Sequence, residues 1–450
     1  MKMLRKFAMA FAFAALAVWF APTQSHAAAD YNKGFVYESE DGMIKVKQQL
    51  RVQFRVDVKD SNRDNEDPST DFMIRRAKLK FSGHAYEKWL KFGLQLAGDV
   101  GRVNEDGSAK SEELNVEDVF IAASYWEFAD VKVGRYKIPF EREVLNSSSK
   151  LQFVDRSAVK EFIIDADRAD GISTGGIAGG MVAYRVGLFQ LDDETFSNEE
   201  NVLVAGRVQV NFGEGELAYS SGSFTSGGDY KIAPNFAKAP IYQVGIGGFY
   251  YLGNETTVKG ATYDALNSSG EVAGTRTSPD TDVDNTRYGV TADVAVRWER
   301  WNVEIAGYAG YNQKLKAVVN AKAAVADDVS TTGIDETRAA VAGVAASADD
   351  YMNIAYRAQA GFMIIPELEV AARYTATMYD YDDRAYEQSK ADGNELPGDH
   401  WDATLGVNYY IAGVEHKAKV QVDFEHSRTN RFGISQLKEN IARAQVQLSF

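Results

Sequence analysis

The chain is 450 residues long, contains no cysteine and carries a formal net charge of −15. That length allows a large core or several domains, the missing cysteines exclude disulfides and thiolate chemistry, and the acidity argues against nucleic acid as a partner. Tyrosine (23) and phenylalanine (24) are abundant and proline (8) is scarce, which suits β-structure better than disorder.

The chain begins with Lys2, Arg5 and Lys6, an apolar run from Phe7 to Phe20, and the small residues of "SHAAA". This is the anatomy of a secretory signal peptide, expected over 1–29 with cleavage after Ala27 or Ala29. The apolar run falls short of the about 20 residues a spanning helix needs.

From residue 44 the pattern changes to strict alternation. Ile44, Val46, Leu50, Val52, Phe54, Val56 and Val58 alternate with Lys45, Lys47, Gln49, Arg51, Gln53, Arg55, Asp57 and Lys59. Successive strand side chains point to opposite faces, so one face is apolar and the other basic. The same pattern recurs at Leu90–Leu96, Val202–Phe212, Trp301–Ile305, Trp401–Ile411 and Ala418–Phe424. Strands are expected near 43–59, 71–82, 89–99, 116–126, 130–138, 170–178, 181–191 and 202–212, then near 241–252, 286–298, 300–312, 351–363, 367–380, 400–411, 415–426 and 440–450. Long alternating strands separated by turn residues predict an all-β fold over 30–450: a closed transmembrane antiparallel β-barrel of about sixteen strands, with short periplasmic turns and long external loops. Residues 213–240 must then form a long periplasmic turn; two more strands there would make eighteen. A soluble β-sandwich explains neither the strand length nor the recurring apolar face. The interfacial aromatic girdles fall to Trp89, Tyr125, Trp126, Tyr250, Tyr251, Trp298, Trp301, Tyr379, Trp401, Tyr409 and Tyr410.

The polar parity of each strand faces a water-filled lumen in a barrel of this size. It carries Lys45, Lys47, Arg51, Arg55, Lys59, Arg76, Lys78, Lys80, Lys91, Arg185, Arg207, Arg287, Arg297, Arg357, Arg373, Lys417, Lys419 and Arg443. Fewer acids share it: Asp57, Asp99, Asp118, Asp293, Glu304, Glu367, Glu369, Asp402, Glu415, Asp423 and Glu425. The expected lumen is therefore positive although the chain is acidic. Pairing of the first and last strands places Arg443, Lys417 and Lys419 beside the basic face of 45–59, a cationic stripe across the seam. Rows of Lys and Arg facing a pore favour anions.

Two stretches carry a resemblance. "VKVGRYKIPFERE" and "LQFVDRSAVKEFIIDADRADGI" contain Gly134, Arg135, Tyr136, Lys137, Pro139 and Phe140, then Phe153, Asp155, Arg156 and Ser157, then Arg168 and Gly171. This pattern resembles the phosphate-selective porin O/P family. The resemblance implies a sixteen-stranded homotrimeric channel in the outer membrane of a Gram-negative-type envelope, passing small anions such as phosphate or another oxyanion. It also implies that 139–169 folds inward as the constriction loop, with Lys137, Arg142, Lys150, Arg156, Lys160 and Arg168 as candidates there. Glu141, Glu143, Asp155, Glu161, Asp165 and Asp167 nearly balance those cations. Phe450, ending an alternating strand, is the expected signal for the outer-membrane assembly machinery.

Other signals are weak. Asp280, Asp282 and Asp284 have EF-hand-like spacing, but Asn285 and Thr291 stand where glycine and glutamate are needed. His84, His400, His416 and His426 are dispersed, so neither a metal, a cofactor nor an enzyme is expected. Residues 313–350 read as a mobile external loop. The alternatives to an anion channel are a general porin without phosphate selectivity and a surface structural or binding barrel with a closed pore.

Overall fold

The computed structural model describes residues 25–30, 34–62, 68–100, 114–159, 167–191, 202–213, 237–252, 287–317, 346–381, 398–411, 418–430 and 436–450, with short strands at 256–258, 262–266, 272–277 and 281–283. An N-terminal hairpin comprises β1 (Ser25–Asp30) and β2 (Gly34–Ser39). Then follow β3 (Lys45–Ser61), β4 (Ser69–Ala85), β5 (Glu87–Val100), β6 (Leu114–Ala123), β7 (Asp130–Lys137), β8 (Arg168–Ala178), β9 (Val182–Gln190), β10 (Val202–Gly213) and β11 (Ala237–Leu252). Two small sheets in the next loop use β12 (Thr256–Val258) with β15 (Thr281–Val283) and β13 (Thr262–Leu266) with β14 (Val272–Thr277). The wall resumes with β16 (Arg287–Glu299), β17 (Trp301–Ala317), β18 (Ala346–Ile365), β19 (Leu368–Tyr381), β20 (His400–Tyr410), β21 (Ala418–Thr429) and β22 (Leu437–Ser449).

β3–β11 and β16–β22 form a closed antiparallel barrel of sixteen strands. Each pairs with its sequence neighbour, and β22 closes the ring against β3 with Arg443 opposite Asp57 and Gln447 opposite Gln53. Phe450 extends that seam: its N–H donates to Leu50 O at 2.9 Å and its carbonyl accepts from Leu50 N at 2.7 Å. Below it, β2 pairs with the start of β3, from Phe35 opposite Gln48 to Glu38 opposite Lys45. The last strand and the N-terminal hairpin thus cover successive parts of one strand edge. The expected cleavage after Ala27 or Ala29 falls inside β1; residues 1–24 lie outside the described part. β10 pairs directly with β11, so 214–236 join two wall neighbours and the count is sixteen rather than eighteen.

The burial pattern is inverted relative to a soluble protein. On β22, Gln445 and Gln447 are fully buried, while Val446, Leu448 and Phe450 are exposed. On β20, Asp402, Thr404 and Asn408 are buried between exposed Leu405, Val407 and Tyr409. Lipid contact satisfies the apolar side, and backbone pairing around a closed ring leaves no open edge in it. Stacked or tilted outer rings such as Phe212–Tyr242, Trp301–Phe362 and Tyr250–Tyr288–Tyr311 mark the two ends of the wall. Three expected girdle residues are corrected: Tyr379 shares the parity of buried Thr375 and Thr377 and packs against the buried lumen cluster. Tyr251 and Tyr410 are buried toward the lumen, because each has the opposite parity to an exposed neighbour, Tyr250 or Tyr409.

Among the irregularities of the wall, two β-bulges bring extra charges into the lumen. Between Gln53–Arg76 and Phe54–Ile74 the register leaves Arg75 unopposed. Between Gln95–Asp118 and Leu96–Val116 it leaves Glu117 unopposed. A bulge lets two consecutive residues share a face. Arg75 thus joins Arg76 inside, and Glu117 joins Asp118.

Candidate functional site: the lumen and its inner loop

Residues 138–159 leave β7 and lie within the barrel. Their one helical turn is α1 (Arg142–Leu145). The signature residues build this segment. Lys137 Nζ donates to the carbonyls of Leu145 and Asn146 at 3.0 and 2.8 Å. Arg156 donates to the carbonyls of Glu143 and Asn146 at 3.0 and 2.9 Å. Both cations therefore satisfy carbonyls within and just after α1, groups with no partner in so short a helix. Ser157 Oγ donates to Glu143 at 2.6 Å, tying the two limbs of the loop together. Phe140 packs edge-on against Phe249 of β11, with centroids 5.0 Å apart.

The loop docks on most of the wall. Arg207 on β10 donates to Phe140 O, and Arg142 reaches Gln243 on β11 and Glu304 on β17. Arg357 on β18 is bracketed by Glu143 and Glu304, with Glu141 3.7 Å away. Gln152 donates to Asn302 and Glu369, Val154 N to Asp423, and Lys419 Nζ to Leu151 O at 2.8 Å. On the far side of the seam, Gln447 donates to Ser149 O and Arg51 to Ser147 and Ser148. Glycines on the wall make this approach possible. A Cβ at Gly247 would strike the Phe140 carbonyl, and one at Gly361 would strike Gln152 and Glu369.

Burial sorts the lumen cations into two sets. Arg207, Arg357, Arg373, Lys419, Arg142 and Arg443 are buried among partners. Arg207 makes a two-pronged ion pair to Asp293 at 2.7 and 2.8 Å, and Arg443 reaches Glu425 at 3.0 Å. Arg185 is likewise buried, paired to Asp130 at 2.7 Å. Arg55, Arg76 and Lys78 are buried nearer the seam, Arg55 against Asp57 and Asp155, Arg76 donating to Gln53, and Lys78 against Glu117. The second set is half-buried: Lys47, Arg51, Lys80, Lys91, Lys137, Lys150, Arg156 and Arg168. It faces the side of the lumen along β3–β6 and β8, where Glu117, Asp118 and Asp167 are among the acids. Arg168 reaches Asp118 at 2.7 Å and Glu117 at 3.4 Å. Lys45 and Lys59 sit at the two ends of β3, paired to Glu38 and Glu439. Lys160 and Lys417 lie outside the described residues, as do 318–345 of the expected external loop.

Within the loop, burial and the adjacent Glu143 push the Glu141 carboxyl up to about 7, against Arg357 and the Tyr308 hydroxyl. Asp155 goes the other way: burial raises it, but Arg55, Arg75, Arg76 and Arg443 outweigh that and hold it well below the usual carboxylate range.

The model of the phosphate-selective porin O and P family matches residues 45–450. The chain belongs to this family. It is an outer-membrane porin, a channel rather than an enzyme. An uncharacterized protein of Aquifex aeolicus (strain VF5) is 30% identical over 161 residues, 32% of this chain and 38% of that one. The match thus spans well under two thirds of that relative's length. Among solved structures, this porin is similar to the outer membrane channel DcaP of Acinetobacter baumannii (11% identity, TM-score 0.49, covering 92% of this chain and 99% of that one). It is also similar to OmpT of Vibrio cholerae (12%, 0.48, 89% and 97%) and to an anion-selective porin from Comamonas acidovorans (12%, 0.48, 90% and 99%).

Proposed function

We propose that this porin passes small anionic solutes, phosphate or another oxyanion among them, along the half-buried cationic side of its lumen. One observation carries the reading: among the described residues on that side Lys and Arg outnumber Asp and Glu, although the chain as a whole carries −15. Lys47, Arg51, Lys80, Lys91 and Arg168 form the path, and the loop 138–159 narrows it as the constriction. Ammonium and guanidinium groups near water raise the local anion concentration without binding so tightly that ions cannot leave. The buried arginines of β10 and β18–β22 hold the loop rather than the solute. Export by the cleaved leader, assembly through Phe450 and a homotrimeric state complete the proposal. The test is the reversal potential in a planar bilayer under a KCl gradient, for the wild type and for Lys47→Glu with Lys80→Glu. The wild type is expected to prefer chloride and the double variant to lose that preference.

A further inference from the structure

Asp155 of the inner loop occupies a cage of guanidinium groups. Its carboxylate contacts Arg55 Nη1 and lies 3.7 and 3.6 Å from Nη2 of Arg75 and Arg76. The cage follows from register: the bulge that leaves Arg75 unopposed sets Arg75 and Arg76 side by side, facing Arg55 on the next strand. The loop is aimed into it, because Arg373 Nη1 donates to the Asp155 carbonyl at 2.9 Å and Val154 N donates to Asp423 at 2.8 Å. The Asp155 side chain keeps 25% of its surface exposed, so the cage opens to water. Asp57 also contacts the cage, 2.5 Å from Arg55. Of these two carboxylates, one belongs to the wall and one to the loop.

Guanidinium groups bind carboxylate and phosphate by the same paired-donor geometry. We propose that the Arg55–Arg75–Arg76 cage is an oxyanion seat that the loop fills with its own Asp155 carboxylate, so that a permeating oxyanion binds there only by displacing this tethered competitor. A tethered group acts at a high effective concentration. It therefore weakens the seat uniformly, and an arriving anion is released instead of trapped. The proposal rests on the anion-channel reading above and names how the seat is regulated.

The experiment is block of chloride current by inorganic phosphate, using the full porin in planar bilayers. In Asp155→Asn the half-blocking phosphate concentration is expected to fall about tenfold or more. Added formate, a free carboxylate, should compete and restore the weaker block in this variant, with little effect on the wild type. Unchanged block in Asp155→Asn overturns the proposal. So does a rise in chloride conductance without tighter phosphate block, which would mean the loop had merely loosened. If Asp155→Asn yields no folded barrel, Asp155→Ser takes its place: tighter block supports the tethered competitor and unchanged block overturns it. A wild type without anion preference would sink the channel reading itself. An anion-preferring wild type with an unaltered Asp155→Asn sinks only the tethered competitor.

Discussion

Gln53 of the first barrel strand and Gln447 of the last are joined by a 2.6 Å side-chain hydrogen bond inside the lumen. Both residues are fully buried, and the Gln447 amide also donates to Ser149 O of the loop. The seam of the barrel and the anchor of the loop are therefore one structure. Buried amides of this kind stabilise only when their donors are met, and here they are.

Deleting Phe450 removes two backbone hydrogen bonds to Leu50 and an apolar ring at the membrane-facing end of the seam. The expected result is a smaller yield of folded barrel from membranes, with slower refolding into detergent. It is read by the mobility difference between heated and unheated samples on gels.

Arg357 and Lys47 should behave differently although both have lumen-facing parity. Arg357→Met leaves Glu141, Glu143 and Glu304 short of a buried partner and should cost on the order of 3 kcal/mol. Lys47 is half-buried, and Lys47→Gln should change stability by less than about 0.5 kcal/mol while reducing anion preference. Urea unfolding in detergent gives the first quantity and reversal potentials the second.

Gly247→Ala places a methyl group against the Phe140 carbonyl, a backbone atom that cannot swing aside. The loop must lift from β11. Faster trypsin cleavage between Arg142 and Lys150, together with a larger and less selective conductance, is the expected pair of readouts.

The raised Glu141 carboxyl predicts a pH dependence. Its ordinary value is 4.5 and burial with Glu143 lifts it to about 7, so the folded protein keeps a proton that the unfolded chain has already released. That contribution to stability is present below about 4.5 and is lost as pH rises through about 7. Urea midpoints should therefore fall from mildly acidic to mildly alkaline solution. Glu141→Gln should flatten the part of this trend due to Glu141; an identical trend in the variant would contradict the assignment.

The wall was legible because alternation is a one-dimensional signal: each of the sixteen expected strands overlaps an observed one. Parity failed where the backbone departs from period two. Arg75 and Glu117 escape a period-two pattern because a bulge turns each inward, and a tandem such as Arg75–Arg76 is the trace a bulge leaves in the sequence. Tyr251 and Tyr410 leave the girdle because, of two adjacent aromatics in one strand, one must face in. The division between buried and water-facing cations was not legible at all. Arg357 and Lys47 share an inward parity, and only the path of residues 138–159 through the lumen separates them. The loop's partners on β10–β22 lie far off in sequence, and their glycines at 247 and 361 read as ordinary strand residues until the loop is set against them.

The proposed function requires that an acidic chain enclose an anion-preferring path. The most direct measurement is the zero-current potential of the wild-type porin in a planar bilayer with unequal KCl on the two sides. The expected potential has the sign set by chloride and shrinks as salt is raised and the lumen cations are screened. A potential of the sign set by potassium, or a barrel that carries no current, would contradict it.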